Sequence, residues 1–202
     1  GTGTLNLHAG RDVDINKTID TAGDLQIIAS DTASNVVDAQ RDSGAADILA
    51  AYESDGSTAI SLTAANLDIQ LRDGNGVTNV SMGNVELATV TATTGNLQSA
   101  NFSASGTVVA NKTYDGNTSA TITTNGSVSG LTLVGSDLSL SLSAEFLTAA
   151  VGSGKDVSVE YALNGFTSSE MSLLDGSGNV EETVTADIVS SSGDNDTGVQ
   201  EE

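Results

Sequence analysis

The chain has 202 residues, enough for one large domain or two small ones, and its 27 Asp and Glu against 6 Lys and Arg give a formal net charge of −21. This charge argues against nucleic acid and against an anionic membrane surface as partners, because both are bound through clustered Lys and Arg. The absence of cysteine excludes disulfides, thiol nucleophiles and cysteine-ligated metals.

No stretch is apolar enough to cross a bilayer as a helix. The first ten residues, GTGTLNLHAG, lack the pattern of a signal peptide. For an exported protein we therefore expect the signal to lie upstream of this sequence.

Apolar residues alternate in the first half with an offset of twenty residues. GTLNLHAG, which begins at Gly3, aligns with GDLQIIAS, which begins at Gly23, so that Leu5 falls on Leu25. Alternation predicts strands with one buried face, and a repeat of about twenty residues is typical of a solenoid. Residues 1–110 are therefore predicted to form a right-handed parallel β-helix with Leu5 and Leu25 in adjacent coils. A sandwich of antiparallel hairpins is the alternative.

The alternation is interrupted by an insertion at about residues 31–56. Its segment AADILAAYE, residues 45–53, contains good helix formers, and Ile48, Leu49 and Tyr52 would share one helical face. We expect a loop with a short helix laid over the solenoid. A binding protrusion is the alternative, because functional segments are often carried as loops on a rigid scaffold.

Shorter strands separated by turn pairs such as Asn125-Gly126 follow in the second half. This density of turns predicts a small antiparallel β-sandwich over residues 111–190, so that the whole chain is all-β. Residues 191–202 are acidic and lack alternation, which indicates a tail or a linker.

Three stretches of the second half resemble a known family. KTYDGNTSATIT, LVGSDLSLSLSAEF and VGSGKDVSVEYALNG follow one another in the order of the YDG module of large secreted bacterial adhesins, from Asn111 to about Val189. The family often closes with an Asn-Tyr-x-Leu strand, which is replaced here by FTSSEMSLLDGSGNVEETVTADIV. The first half resembles the β-helical repeats of filamentous-haemagglutinin-like proteins, which are exported by two-partner secretion.

These resemblances imply a non-catalytic structural or adhesive module of a secreted bacterial surface protein. Such a module would lie outside the cell or on its surface, as an adhesin stalk in cell-surface or biofilm attachment. Its expected partners are neighbouring modules of the same long chain or identical subunits end to end, together with a surface glycan or a host receptor. A self-assembling subunit of an extracellular filament or matrix is the alternative, because an uncapped solenoid exposes open strand edges.

The structural motif expected to start the second half is Tyr114-Asp115-Gly116. Tyr114 should end an entering strand, and Asp115-Gly116 should form a tight turn, because Gly tolerates positive φ and Asp can accept hydrogen bonds from nearby amides. The tyrosine ring is expected to pack over the rim of the sandwich. A ligand-stacking tyrosine is the alternative, although aromatic residues make up only 3% of the chain.

No catalytic residues are predicted. His8 is the only histidine and falls on an outward position level with Ile28, and no nucleophile-elbow sequence is present. We therefore expect no enzyme activity. A β-helical polysaccharide-active enzyme with a pair of carboxylates is the weaker alternative.

Calcium is the metal that the sequence could hold, since it takes oxygen ligands only. No cofactor is expected, because the acidic clusters can form turns without an ion. The candidate calcium ligands are Asp73, Asn75, Asp175, Asn179, Asp194 and Asp196.

Overall fold

The computed structural model describes residues 3–31, 44–72, 80–135, 137–164 and 171–191, in which every regular element is a β-strand. Among these residues there is no helix that could cross a membrane. The strands are β1 Leu5–His8, β2 Val13–Asp14, β3 Ile19–Asp20, β4 Leu25–Ala29, β5 Gly44–Ala50, β6 Ser61–Leu71, β7 Val80–Leu87, β8 Thr89–Ser99, β9 Ser103–Ser105, β10 Val108–Val109, β11 Lys112–Thr113, β12 Ile122–Thr124, β13 Ser127–Ser129, β14 Leu131–Leu133, β15 Ser139–Phe146, β16 Gly152–Asn164, β17 Met171–Leu174 and β18 Glu181–Val189.

The chain divides into two compact units, each built from separate segments. Unit 1 contains Gly1–Ala104, Ser127–Ser141 and Tyr161–Val180, and unit 2 contains Ser105–Gly126, Leu142–Glu160 and Glu181–Glu202. This division differs from the predicted one at residues 110 and 111. The physical reason is strand pairing, because β14 and β17 of the predicted sandwich pair with β7 and β8.

Three parallel ladders form unit 1. The first ladder joins β1, β4, the C-terminal half of β6, the C-terminal half of β8, and β17. The second joins β2, β5, β7 and β14. The third joins β3 to the N-terminal halves of β6 and β8. These strands do not pair as antiparallel hairpins, which were the alternative prediction for the first half.

Aliphatic side chains stack in register along the first ladder and form the core of unit 1. Leu5 pairs with Leu25, which confirms the predicted stacking of these two residues. The next set of inward-facing positions is entirely apolar and contains Leu7, Ile27, Ile69, Leu97 and Leu173, all of which except Leu7 are buried. Burial of each such side chain contributes about 1.5–3 kcal/mol, so the ladder is a main source of stability.

The twenty-residue repeat holds only between the first two rungs of this ladder. Leu25 follows Leu5 by 20 residues, but its next partner, Leu67, follows by 42, and Gly95 follows Leu67 by 28. The register is kept while the connections vary in length. This variation explains why the sequence repeat fades after residue 30.

Glycine is required where the first two rungs approach each other. A Cβ atom placed on Gly23 would lie 2.0 Å from the carbonyl oxygen of Gly3. Any other side chain at Gly23 would therefore push the rungs apart, since a contact this short lies far inside van der Waals distance.

The helix predicted within residues 45–53 is wrong, because Gly44–Ala50 is strand β5. β5 pairs in parallel with β2 on one side and β7 on the other. Its inward residues Ala46, Ile48 and Ala50 are buried at alternate positions. Pairing on both edges thus overrides the helix propensity of Ala and Leu. Residues 32–43 of the predicted insertion lie outside the described residues.

Unit 2 is built mainly on the antiparallel pair β16 and β18, in which Val157 lies opposite Val184. β10 and β12 are also antiparallel, whereas β11 runs parallel to β18. The pairing in this unit is therefore mixed, unlike the purely antiparallel arrangement expected from the turns. Its buried side chains include Val109, Phe146, Val157, Val159 and Ile188.

Candidate functional site

The Tyr114-Asp115-Gly116 segment directly follows strand β11. The Tyr114 N–H donates to the Val189 carbonyl at 2.8 Å, and the chain then bends at Gly116, whose φ is 79°. The Tyr114 side chain is 46% exposed. The motif therefore closes the pairing of β11 with β18 and presents its ring at the surface of unit 2.

Lys112 lies at the centre of this turn, although no sequence motif singled it out. Its ammonium donates to Asp115 Oδ1 and Asn117 Oδ1, both at 2.8 Å, and to the carbonyls of Asn117 and Ser119 at 3.0 and 3.1 Å. It also lies 5.9 Å from the centre of the Phe146 ring. The only sequence signal was the Lys–Asp spacing of three residues, which is too common to be specific.

Among the described residues, the Asp115-Gly116 turn is one of three Asp-Gly turns with the same local geometry. In each, the glycine has positive φ and the aspartate carboxylate accepts the amide N–H two residues further on. Such a bond satisfies the carboxylate within the turn itself. The three bonds are Ser57 N to Asp55 Oδ1 at 2.9 Å, Asn117 N to Asp115 Oδ1 at 3.1 Å, and Ser177 N to Asp175 Oδ1 at 2.8 Å.

Hydrogen bonds lower the pKa of all three aspartates from the ordinary value of 3.8. The main cause is a side-chain hydrogen bond in every case, from Thr58 to Asp55, from Lys112 to Asp115, and from Ser177 to Asp175. These bonds favour the ionised carboxylate. All three groups are therefore charged over the physiological range.

The predicted calcium ligands are brought together only in part. Asp73, Asn75, Asp194 and Asp196 lie outside the described residues. Asp175 and Asn179 flank one turn, in which Asp175 Oδ1 accepts from Ser177 N, Ser177 Oγ and Gly178 N. Within the described ranges no group of three or more acidic or histidine side chains could hold a metal ion. In the described part of the chain Asp175 is therefore a turn residue, and calcium binding stays a prediction.

His8 lies level with Ile28 on the outward side of the first ladder, which confirms its predicted position. Its ring contacts Asp31 and Gln26. The sequence pattern could not have indicated Asp31, because this residue lies beyond the end of β4 and outside the alternating positions.

Two shallow cavities are lined by polar side chains. One, of about 510 Å³, lies in unit 2, and the other, of about 410 Å³, lies in unit 1. Carboxylates, hydroxyls and amides line both cavities together with apolar side chains. The main polar lining residues are Ser143, Glu145, Ser158 and Glu160 in unit 2, and Gln70, Arg72, Gln98, Asp175 and Ser177 in unit 1.

Comparison with known proteins gives one family match. No curated protein and no solved structure matches the chain. The family match begins before Asn111 and ends within the segment where the sequence departs from the usual closing strand of the resembled module. It includes both the Asp115-Gly116 turn and the Asp175-Gly176 turn. Residues 98–177 of this chain thus match the YDG domain.

Proposed function

We propose that this chain is a non-catalytic structural or adhesive module of a large secreted bacterial surface protein. The observation that carries this proposal is the YDG match over residues 98–177, because the resembled module occurs in large bacterial adhesins. The proposed location is extracellular or on the cell surface. Its proposed partners are neighbouring modules of the same chain, identical subunits, and a surface glycan or host receptor.

We further propose that unit 1 is a segment of right-handed parallel β-helix and that the YDG region forms a small sandwich. Three parallel ladders with in-register aliphatic levels support the first assignment. The antiparallel pair of β16 with β18 supports the second. A stack of this kind makes a stiff spacer, since its resistance to unfolding comes from continuous apolar levels rather than from crosslinks.

An adhesion assay tests the adhesive role. Fluorescent beads coated with the folded protein are passed over host cells, glycan-coated slides and bare abiotic surfaces under flow. We expect retention of the coated beads above that of beads carrying the heat-unfolded protein. Equal retention of the beads carrying folded and heat-unfolded protein on every surface would contradict the adhesive role.

An incubation with polysaccharides tests the enzyme alternative. We expect no new reducing ends and no unsaturated products. Turnover that is abolished by Glu145→Gln together with Glu160→Gln, the two carboxylates lining the larger cavity, would overturn the non-catalytic proposal.

Self-assembly into a filament or matrix is the second candidate, and the outer rung of the first ladder favours it. Leu5 is 41% exposed, whereas its partner Leu25 is 1% exposed, so the outermost apolar position of this ladder is open within the described part of the chain. Such an edge can accept another strand. The net charge of −21 opposes close packing at low salt, so assembly should strengthen with salt or calcium.

Electron microscopy of the native material separates the two candidates. Regular filaments whose axial repeat matches one 202-residue subunit would favour assembly. Isolated rods that stay monomeric across a range of salt and calcium concentrations would remove it.

A further inference from the structure

Six polar side chains form a closed ring of hydrogen bonds on the outward side of the first ladder. We name this set the polar ring. Its members come from three neighbouring strands and the residues that follow them: His8 on β1, Gln26 and Asp31 on and after β4, and Asp68, Gln70 and Arg72 on and after β6. The ring therefore ties the first three rungs of unit 1 together through side chains as well as through the backbone.

Asp68 fixes the direction of hydrogen bonding on one side of His8. Its Oδ2 atom accepts from Gln26 Nε2 and from Gln70 Nε2, both at 2.8 Å. Gln26 cannot be reversed, because its amide oxygen would then face the Asp68 carboxylate. Gln26 Oε1 must therefore point at His8 Nε2, which lies 2.8 Å away. A carbonyl oxygen only accepts, so His8 Nε2 must carry a proton.

Asp31 likewise requires a proton on the other ring nitrogen of His8. Its Oδ2 atom lies 3.1 Å from His8 Nδ1, and its Oδ1 atom accepts from Arg72 Nη1 at 2.7 Å. Asp31 is 2% exposed, so water cannot readily replace these donors. A carboxylate only accepts, so His8 Nδ1 must carry a proton as well.

The charges around His8 agree with an imidazolium. The polar ring contains two carboxylates, Asp31 and Asp68, and one guanidinium, Arg72, so a protonated His8 brings its formal charge to zero. Arg11 lies on the turn that packs against this site, since its carbonyl accepts the Ser30 N–H at 2.8 Å. Its guanidinium binds Asp12 at 2.5 Å.

We infer that His8 is doubly protonated in the folded protein and that the polar ring holds β1 against β4 only in this protonation state. β1 is the outermost strand of the first ladder in the described part of the chain, and β4 is its partner. Loss of either imidazole proton leaves a lone pair facing Gln26 Oε1 or the Asp31 carboxylate. The polar ring is therefore complete while His8 is doubly protonated, and its hydrogen bonds to His8 break as the pH rises. This inference does not depend on the proposed function.

The single histidine makes the inference directly measurable. Nitrogen-15 NMR of the imidazole reports which ring nitrogens carry protons, without overlap from other residues. Hydrogen exchange at Ala9, whose N–H donates to Ile28, reports the opening of β1. We expect both nitrogens to be protonated in the folded protein at about pH 5, and the protection of Ala9 to fall roughly tenfold by about pH 8 after correction for the intrinsic exchange rate.

Two charge-neutral variants separate the polar ring from general electrostatics. Gln26→Met removes the acceptor from His8 Nε2, so the proton on Nε2 no longer has a partner in the polar ring, and Ala9 should lose its pH-dependent protection. Gln98→Met is the matched control, because Gln98 lies in register with Gln70 but outside the ring. It should leave both readouts unchanged.

The wild-type measurement stands even where a variant folds poorly. A folded wild type with a singly protonated imidazole at about pH 5 would overturn the inference. So would Ala9 protection that does not change with pH, or equal effects of Gln26→Met and Gln98→Met.

Discussion

Ser30 combines two unfavourable features at a corner of unit 1. Its φ is 53°, in the left-handed region, and its fully buried Oγ has no hydrogen-bond partner in the described structure. The corresponding residue of the preceding repeat is Gly10. Ser30→Gly should therefore raise the free energy of unfolding by about 1 kcal/mol, because it removes both the backbone strain and the unpaired hydroxyl. Urea denaturation measures the change.

Ser30→Ala separates the two causes. It removes the hydroxyl but keeps the Cβ atom in the left-handed region, so it should stabilise less than Ser30→Gly. A lower stability for Ser30→Gly than for the wild type would contradict this account of the corner.

The ammonium of Lys112 organises the turn that contains Tyr114. The Lys112 side chain is only 14% exposed. Lys112→Met keeps its aliphatic part but removes every hydrogen-bond donor of the ammonium. We expect a loss of about 1–2 kcal/mol in the free energy of unfolding, since the freed acceptors can still bind water. Lys155→Met is the control in the same unit, because Lys155 lies in β16 and its ammonium makes no ion pair or hydrogen bond to the described residues. Equal losses in the two variants would show that general charge, and not the turn, sets the effect.

At the scale of residues, the sequence predicted those features that depend only on residues next to one another in the chain. Asp115-Gly116 follows from the backbone freedom of Gly and the acceptor capacity of Asp. The role of Lys112 does not follow, because two of its acceptors are backbone carbonyls that only a folded turn brings together. Asp31 was likewise not predictable, since its partners Arg72 and His8 come from other strands.

Strand β5 offers a direct test of strand against helix. Ile48 is fully buried, whereas Leu49 points to the opposite side and is only half-buried. Ile48→Ala should cost about 2–5 kcal/mol through lost burial and a residual cavity. Leu49→Ala should cost under about 1 kcal/mol. Equal costs, measured by thermal unfolding, would support the helical arrangement in which both residues share one face.

The three Asp-Gly turns make stability depend on acid. The pKa values of Asp55, Asp115 and Asp175 are lowered in the folded protein, so their contribution is present above the ordinary value of 3.8 and is lost as the pH falls through the folded values. We expect the urea midpoint to fall between pH 4 and pH 2. The triple variant with Asn at the three positions should show a weaker fall, and an unchanged slope would contradict the assignment.

At the scale of strands, alternation located most elements but could not reveal all their partners. The buried positions of β6, Ile69 and Leu71 among them, follow from period two. AADILAAYE was misread because its Ala and Leu residues favour a helix, and only the neighbours β2 and β7 decide the outcome.

At the scale of the molecule, an isolated N-terminal module is expected to be incomplete. The pairs of β7 with β14 and β8 with β17 cross the boundary at residue 110 that the sequence predicted. A chain of residues 1–110 should therefore bind a hydrophobic dye and exchange its β8 amides faster than the full chain does. Full protection of β8 in this fragment would restore the predicted boundary.

The all-β class and the Leu5–Leu25 register could be predicted because both depend on short sequence separations. Leu97 and Leu173 meet across 76 residues, and no local pattern carries that information. The YDG resemblance placed a module boundary at Asn111, whereas the compact units are interleaved along the chain.

This interleaving also imposes an order on folding. β1 and β4 are separated by a short connection and can pair as soon as both have been synthesised. Closing the loop between β8 and β17 costs more conformational entropy, and it cannot begin until residue 174 is available. During N-to-C synthesis, the outer edge of β8 therefore stays uncovered for longest. The last strand to dock then decides when the first hundred residues become fully protected.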